Sequence, residues 1–135
     1  MTTLYMLDTD TCSYILRRAS PKLMRRIQDV SLEQQCMSVI SLSELLYGVQ
    51  LSAKKTSNQP AIDALTRHVT VLDWPRAAAE HYADIRADLK KRGQIIGGND
   101  LLIAAHARYL NATLVTNNVR EFKRVKQLLV DNWMA

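Results

Sequence analysis

Four short apolar runs, Leu4 to Leu7, Met37 to Ile40, Val69 to Leu72 and Thr113 to Thr116, are separated by long segments whose apolar residues recur at helical spacing. A chain that alternates in this way has few folds open to it. Each strand is too short and too apolar to stand at a wetted surface, and each connection is long enough to cross over and bring the next strand in parallel. The pattern predicts an α/β fold, a three-layer α/β/α sandwich with a mainly parallel central sheet. At 135 residues, 47% of them apolar, the chain is expected to form a single domain spanning residues 1–135.

The helices are marked by their ends. Thr9 or Asp10 is a suitable N-cap for a helix over Thr11 to Arg18, and Ser20 followed by Pro21 opens a second. Ser41 and Glu44 have capping-box spacing at the start of a helix that runs to about Leu51. Pro60 and Pro75 are expected to open two more, the second ending at Gly93, with Lys54 to Gln59 as a mobile polar loop before them. Asn99 is the expected cap of "DLLIAAHARYL", which stops near Asn111, and a short helix begins near Val119.

This framework places acids where open parallel sheets bind ligands, at the carboxyl ends of strands. Asp8 follows the first strand, Glu44 falls in the first turn after the second, and Asp100 opens a late helix. Each acid alone has a structural explanation as a cap or a dipole partner. Their coincidence at one sheet edge points instead to a shared site. Carboxylates forced together either share protons or hold a hard cation, and Mg2+, with Mn2+ able to substitute, would polarise a phosphoryl oxygen and activate a water. Phosphodiester or phosphate chemistry is the expected class.

Other chemistries find little support. Cys12 and Cys36 match no zinc or redox spacing and read as inert core thiols of a reducing compartment. His68, His81 and His106 have no ligand spacing among themselves, and no P-loop, GxSxG or GxGxxG is present. The N-terminus lacks a basic region before a long apolar segment, and no apolar run approaches membrane-spanning length, so a cytoplasmic location without membrane contact is expected. The 18 Lys and Arg against 13 Asp and Glu give a formal charge of +5. That excess tilts toward polyanionic partners. Arg17, Arg18, Lys22, Arg25 and Arg26 are the candidate phosphate track, whereas Lys90, Lys91 and Arg92 are explained by the end of their helix. Leu42, Leu45, Leu46, Val49 and Leu51 exceed one core-facing stripe, so that some of them are available to face an antitoxin or a second subunit while burial in the core is the commoner fate of such residues.

The segments "MLDTDTCSYIL", "SVISLSELLYGV", "GGNDLLIAAHA" and "LVTNNVREF", with the tail "VDNW", taken in that order and spacing, resemble the PIN-domain ribonucleases, specifically the VapC toxins of bacterial toxin-antitoxin pairs. The resemblance covers essentially the whole chain. It implies that Asp8, Glu44 and Asp100 bind Mg2+ and that a metal-activated water cuts RNA, with transfer RNA as the first substrate to test. It also implies a homodimer and a small VapB-type antitoxin whose tail blocks the cleft. Many members carry a fourth acid where this chain reads Thr116, Asn117, Asn118. Glu121 is the nearest carboxylate that could substitute, Asn118 could ligate through its amide oxygen, and Thr116 could orient a carboxylate or water.

One rival shares the first motif. "LDTDT" after an apolar run also fits the nucleophile motif of haloacid dehalogenase-like phosphatases, in which Asp8 would be phosphorylated. That family needs a catalytic lysine after a strand, and this chain offers only Lys54 and Lys55 in a polar stretch. Glu44 would have no task. A binding domain whose acids are only caps is the remaining alternative.

Overall fold

The computed structural model describes residues 2–135, apart from the side chains of residues 55 and 57. Five parallel strands form one sheet in the order β3-β2-β1-β4-β5. They are β1 (Tyr5–Leu7), β2 (Gln35–Ser38), β3 (Thr70–Leu72), β4 (Thr113–Val115) and β5 (Leu129–Asp131). The crossovers carry α1 (Thr9–Leu16), α2 (Pro21–Asp29), α3 (Val39–Leu51), α4 (Lys55–His68), α5 (Ala78–Lys91), α6 (Gly98–Tyr109) and the single turn α7 (Val119–Phe122). The expected three-layer sandwich with a parallel sheet is what forms.

Alternation along each strand splits the core in two. Met6, Cys36 and Leu114 face one side, where they meet Ile85, Leu89, Leu101 and Ile103 of α5 and α6. Leu7, Met37 and Val115 face the other, against Leu23, Ile27, Leu45, Val49, Ile62 and Leu65 of α2, α3 and α4. Both thiols are buried and unpaired, as expected. Gln35, buried in β2, donates to the carbonyls of Ile27 and Val30 at 2.9 Å and so closes the C-terminal end of α2. Gly93 takes φ +66 just past α5, a conformation that costs a glycine little.

Several element boundaries depart from the sequence expectations. β2 ends at Ser38 rather than Ile40, because the Ser38 hydroxyl accepts from the Ile40 amide at 3.2 Å and caps α3 there. The expected Ser41–Glu44 capping box therefore does not form. Ser41 is buried within the first turn of the helix, with its hydroxyl unpartnered. Of the segment Lys54 to Gln59, residues 55–59 are helical rather than a loop, and Pro60 lies inside α4 instead of opening it. Asn58 seeds that earlier start, its amide bonding to the Lys54 carbonyl at 3.0 Å and its side chain to Ser52 Oγ at 2.9 Å. Pro75 begins a turn, with regular helix only from Ala78. Asn99 does not cap α6, since Gly97 holds that position and its carbonyl accepts from the Leu101 amide at 2.9 Å. The fifth strand escaped the sequence reading: three half-exposed residues with one flanking partner carry too weak a pattern to stand out.

Candidate active site

Strand order reverses direction between β1 and β4, because β2 and β3 extend the sheet on one side of β1 while β4 and β5 extend it on the other. Such a switch point opens a crevice at the carboxyl edge. Asp8 stands there at the end of β1 and Thr116 at the end of β4. The Asp8 amide donates to the Val115 carbonyl at 3.0 Å, and Thr11 Oγ1 donates to the same carbonyl at 3.0 Å, so the two strand ends are stitched together under the site.

Asp8 itself is the N-cap of α1, where Thr9 or Asp10 had been expected. Its Oδ1 accepts from the Thr11 amide at 2.8 Å, and the Thr116 hydroxyl also bonds to the carboxyl. Only 3% of Asp8 is exposed. Burial pushes its pKa up, against the pull of those hydrogen bonds. Glu44, one turn into α3, accepts from Thr9 Oγ1 at 2.5 Å across to α1. Asp100 lies in the first turn of α6.

These side chains border one cavity of about 160 Å3, lined by Asp8, Thr9, Asp10, Glu44, Asp100 and Asn118, with Phe122 at its edge. Their charges are felt at Asp100, whose pKa is pushed up to about 6, first by burial and then by Glu44, Asp8, Glu121 and Asp10 in that order. The three acids singled out from the sequence thus converge. Asn118 joins them on the cavity wall. Glu121 does not line it, and acts on Asp100 through its charge alone. Thr116 is fully buried and serves Asp8, while its Oγ1 accepts from the Asn118 amide at 2.9 Å. Asn117 is exposed and accepts from Asn132 of the C-terminal tail at 3.2 Å.

Asp10 is the residue the sequence reading set aside. Because Asp8 does the capping, Asp10 is released to the mouth of the cavity, and the available signal was its place two residues after a buried acid. Of the five basic residues proposed as a phosphate track, Arg17 borders a groove that adjoins the cavity, its guanidinium 5.0 Å from the Tyr14 ring centre. Arg18 faces a separate groove beside α2 and α4. Arg26 stacks over Trp133 at 5.2 Å and reaches Asp131 at 3.9 Å. Lys22 and Arg25 are exposed on α2. His106 is buried and bonded to Ser38 Oγ at 2.9 Å, a satisfied position in the core.

No three His, Cys, Asp or Glu side chains among the described residues stand close enough to grip an ion as they are. Like charges in one cavity repel and spread. The donor set nevertheless fits a hard divalent cation: every donor is oxygen, most are anionic, and the mutual repulsion registered at Asp100 is what such a cation would relieve.

A buried acid at a parallel-sheet switch point, joined by acids from two other helices, is an arrangement compatible with metal-assisted cleavage of a phosphodiester. Comparison with known proteins places it further. The family model of the PIN domain matches residues 5–128. Ribonuclease VapC2 of Rickettsia felis is 40% identical over 131 residues, covering 96% of this chain and 98% of that protein. The tRNA(fMet)-specific endonuclease VapC of Shigella flexneri is 36% identical over 129 residues, covering 96% and 97%. The crystal structure of VapBC2 from Rickettsia felis, bound to a DNA fragment from its promoter, superposes with a TM-score of 0.92 at 39% identity, over 97% of this chain and 99% of that one. The chain belongs to the PIN-domain family, among its VapC ribonucleases, and is an endoribonuclease. The phosphatase alternative falls with that assignment. Lys54 sits in the turn before α4 rather than after a strand, and the side chain of Lys55 lies outside the described residues.

Proposed function

We propose that this chain is a Mg2+-dependent endoribonuclease toxin that cuts structured RNA, transfer RNA foremost, and so arrests translation and growth until an antitoxin neutralises it. The observation that carries the reading is the single cavity bordered by Asp8, Glu44 and Asp100, with the charge strain it imposes on Asp100. Asp8, Glu44 and Asp100 would hold the cation. Bound there, Mg2+ or Mn2+ supplies a polarised phosphoryl oxygen and a water of lowered pKa.

The chain's own groups have separable tasks. Thr116 and the Thr11 amide fix the Asp8 carboxyl, and Thr9 fixes Glu44, so two of the three acids are aimed before substrate arrives. Asp100, half-buried, is the acid left to adjust. Neutral Asn118 and the more distant Glu121 stand where a fourth carboxylate would be needed. Glu121 is the better candidate for that task, because an anionic oxygen satisfies Mg2+ better than an amide does.

The substrate class follows the Shigella relative, which is named for tRNA(fMet), and the partner follows the Rickettsia VapBC2 complex. A VapB-type antitoxin and a second copy of this chain are the proposed partners, with exposed Tyr47 and Leu51 on α3 as apolar surface for one of them. No helix among the described residues is long and apolar enough to cross a membrane. A substrate such as transfer RNA puts the action in the cytoplasm. The deciding experiment is cleavage of total tRNA by the purified chain with Mg2+, with EDTA, and with Asp8→Asn or Asp100→Asn. Cleavage that needs the metal and both acids supports the reading, and undiminished cleavage in EDTA overturns it.

A further inference from the structure

Beside the acidic cavity lies a second, larger hollow of about 430 Å3 between α1, α3 and α4. The two adjoin, with Thr9, Asp10 and Glu44 as their shared wall. Its floor is apolar, made by Leu16, Leu45, Val49 and Ile62, the last three of them nearly fully buried. Its far rim is polar, carrying Ser13, Arg17 and Asn58. The size is that of a site for one small organic group, and the composition, an apolar floor with a few polar groups at the rim, is typical of such sites.

Gly48 adds an independent observation. It sits inside α3, where glycine is a poor helix former, yet a Cβ built there meets nothing within 4 Å. Packing against protein therefore does not call for a glycine. Gly48 also lines the hollow, so any larger side chain would project into that space.

We propose that this hollow seats the base and ribose of the RNA nucleotide next to the bond that is cut, with Arg17 taking the phosphate beyond it. The inference rests on the reading of the acidic cavity as the cleavage site. A strand whose scissile phosphate lies at Asp8, Glu44 and Asp100 must leave past the shared wall, and Arg17, two turns along α1 from Asp10, is the cation at the other end of that path. Single-stranded RNA is recognised through unpaired bases splayed out of the chain, and an arginine stacked on a tyrosine ring holds its guanidinium edge ready for a phosphate. The hollow then selects for unpaired nucleotides, since a base held in a duplex cannot enter it.

The test uses Gly48→Leu and Gly48→Ala in the full chain. Binding of a 5′-labelled single-stranded RNA spanning the cleavage site is measured in an Asp8→Asn background, and turnover in the otherwise native chain. Gly48→Leu should keep or raise Tm, weaken RNA binding at least tenfold and raise KM far more than it lowers kcat, while Gly48→Ala does much less. RNA lacking the base beside the cleaved bond should bind the native chain as weakly as intact RNA binds Gly48→Leu, and the two losses should not add. Arg17→Gln should reduce the salt slope of binding by about one. A Gly48→Leu chain that is folded and binds and cuts RNA normally overturns the proposal. If that chain also fails to bind the antitoxin, the hollow is a seat for protein instead. Wild-type cleavage by Asp8→Asn and Asp100→Asn would be a different result, overturning the cleavage site itself.

Discussion

Replacing Asp100 by asparagine should make the metal-free protein more stable at neutral pH while abolishing its activity. The carboxyl titrates near 6 in the folded chain and at 3.8 when free, with burial the first cause and the surrounding acids the rest. A group whose pKa is raised by folding gives its full benefit below the unfolded value and loses it as pH climbs through the folded one. Taken at face value, ionising Asp100 in place would cost about 3 kcal/mol. The carboxyl is only half-buried, and solvent screening reduces that to about 1 to 2 kcal/mol. Asparagine also gives up the favourable charge at the start of α6, worth about 0.3 to 1 kcal/mol. The net gain for Asp100→Asn is about 1 kcal/mol, or roughly 3 to 5 °C in Tm. Calorimetry in EDTA should show this gain at about pH 7.5 and its disappearance near pH 4, where the native carboxyl is protonated as well. Mg2+ should then raise the Tm of the native chain more than that of the variant, since ligand binding to the folded state is stabilising. A variant that is no more stable at pH 7.5, or whose gain persists unchanged at pH 4, would refute the account of Asp100 as a carboxyl strained by its neighbours.

Glu121→Gln should lower turnover markedly, Asn118→Ala less, and Asn118→Asp should partly rescue Glu121→Gln; normal turnover and normal Mg2+ dependence in Glu121→Gln would show that three acids suffice. Ser38→Ala removes both the cap of α3 and the partner of buried His106, at a cost of about 2 to 3 kcal/mol in denaturant unfolding, and a loss under about 0.5 kcal/mol would mean that neither bond matters. Thr9→Val should lower kcat with little change in Tm while Thr9→Ser restores it, because the hydroxyl serves to aim Glu44. Both thiols should resist alkylation at about pH 8 in the native state, as burial pushes Cys36 up to about 12 and Cys12 higher still. Rapid labelling of folded protein would contradict that burial.

Much of this molecule is local enough to be written in order along the chain. Apolar runs four residues long and amphipathic spacing between them impose alternating strands and helices, and the alternation leaves a parallel sheet as the outcome. Ser20 with Pro21, and Gly93 with its positive φ, mark helix ends by their own chemistry, so those boundaries are correct. Asp8, Glu44 and Asp100 were legible as acids at strand ends and helix starts. Where two local signals competed, only packing decided. Ser38 and Ser41 are both able to cap α3, and Ser38 prevails because His106, 68 residues away, pairs with it in the core. Asp8 and Asp10 both suit the start of α1, and Asp8 becomes the cap because β1 brings it against Thr116, just past β4. Asp10 is thereby freed to the cavity. The fifth strand exists because β4 offers an edge for Leu129–Asp131 to pair with, and the hollow beside the acids exists because α4 begins early enough to wall it with Asn58 and Ile62. Propensity and spacing act within a few residues, whereas a hydrogen-bond partner or a cavity wall is supplied by chain that is distant in sequence. The sequence alone determined which acids stand at strand ends and helix starts, and the tertiary structure decided which of them share one space.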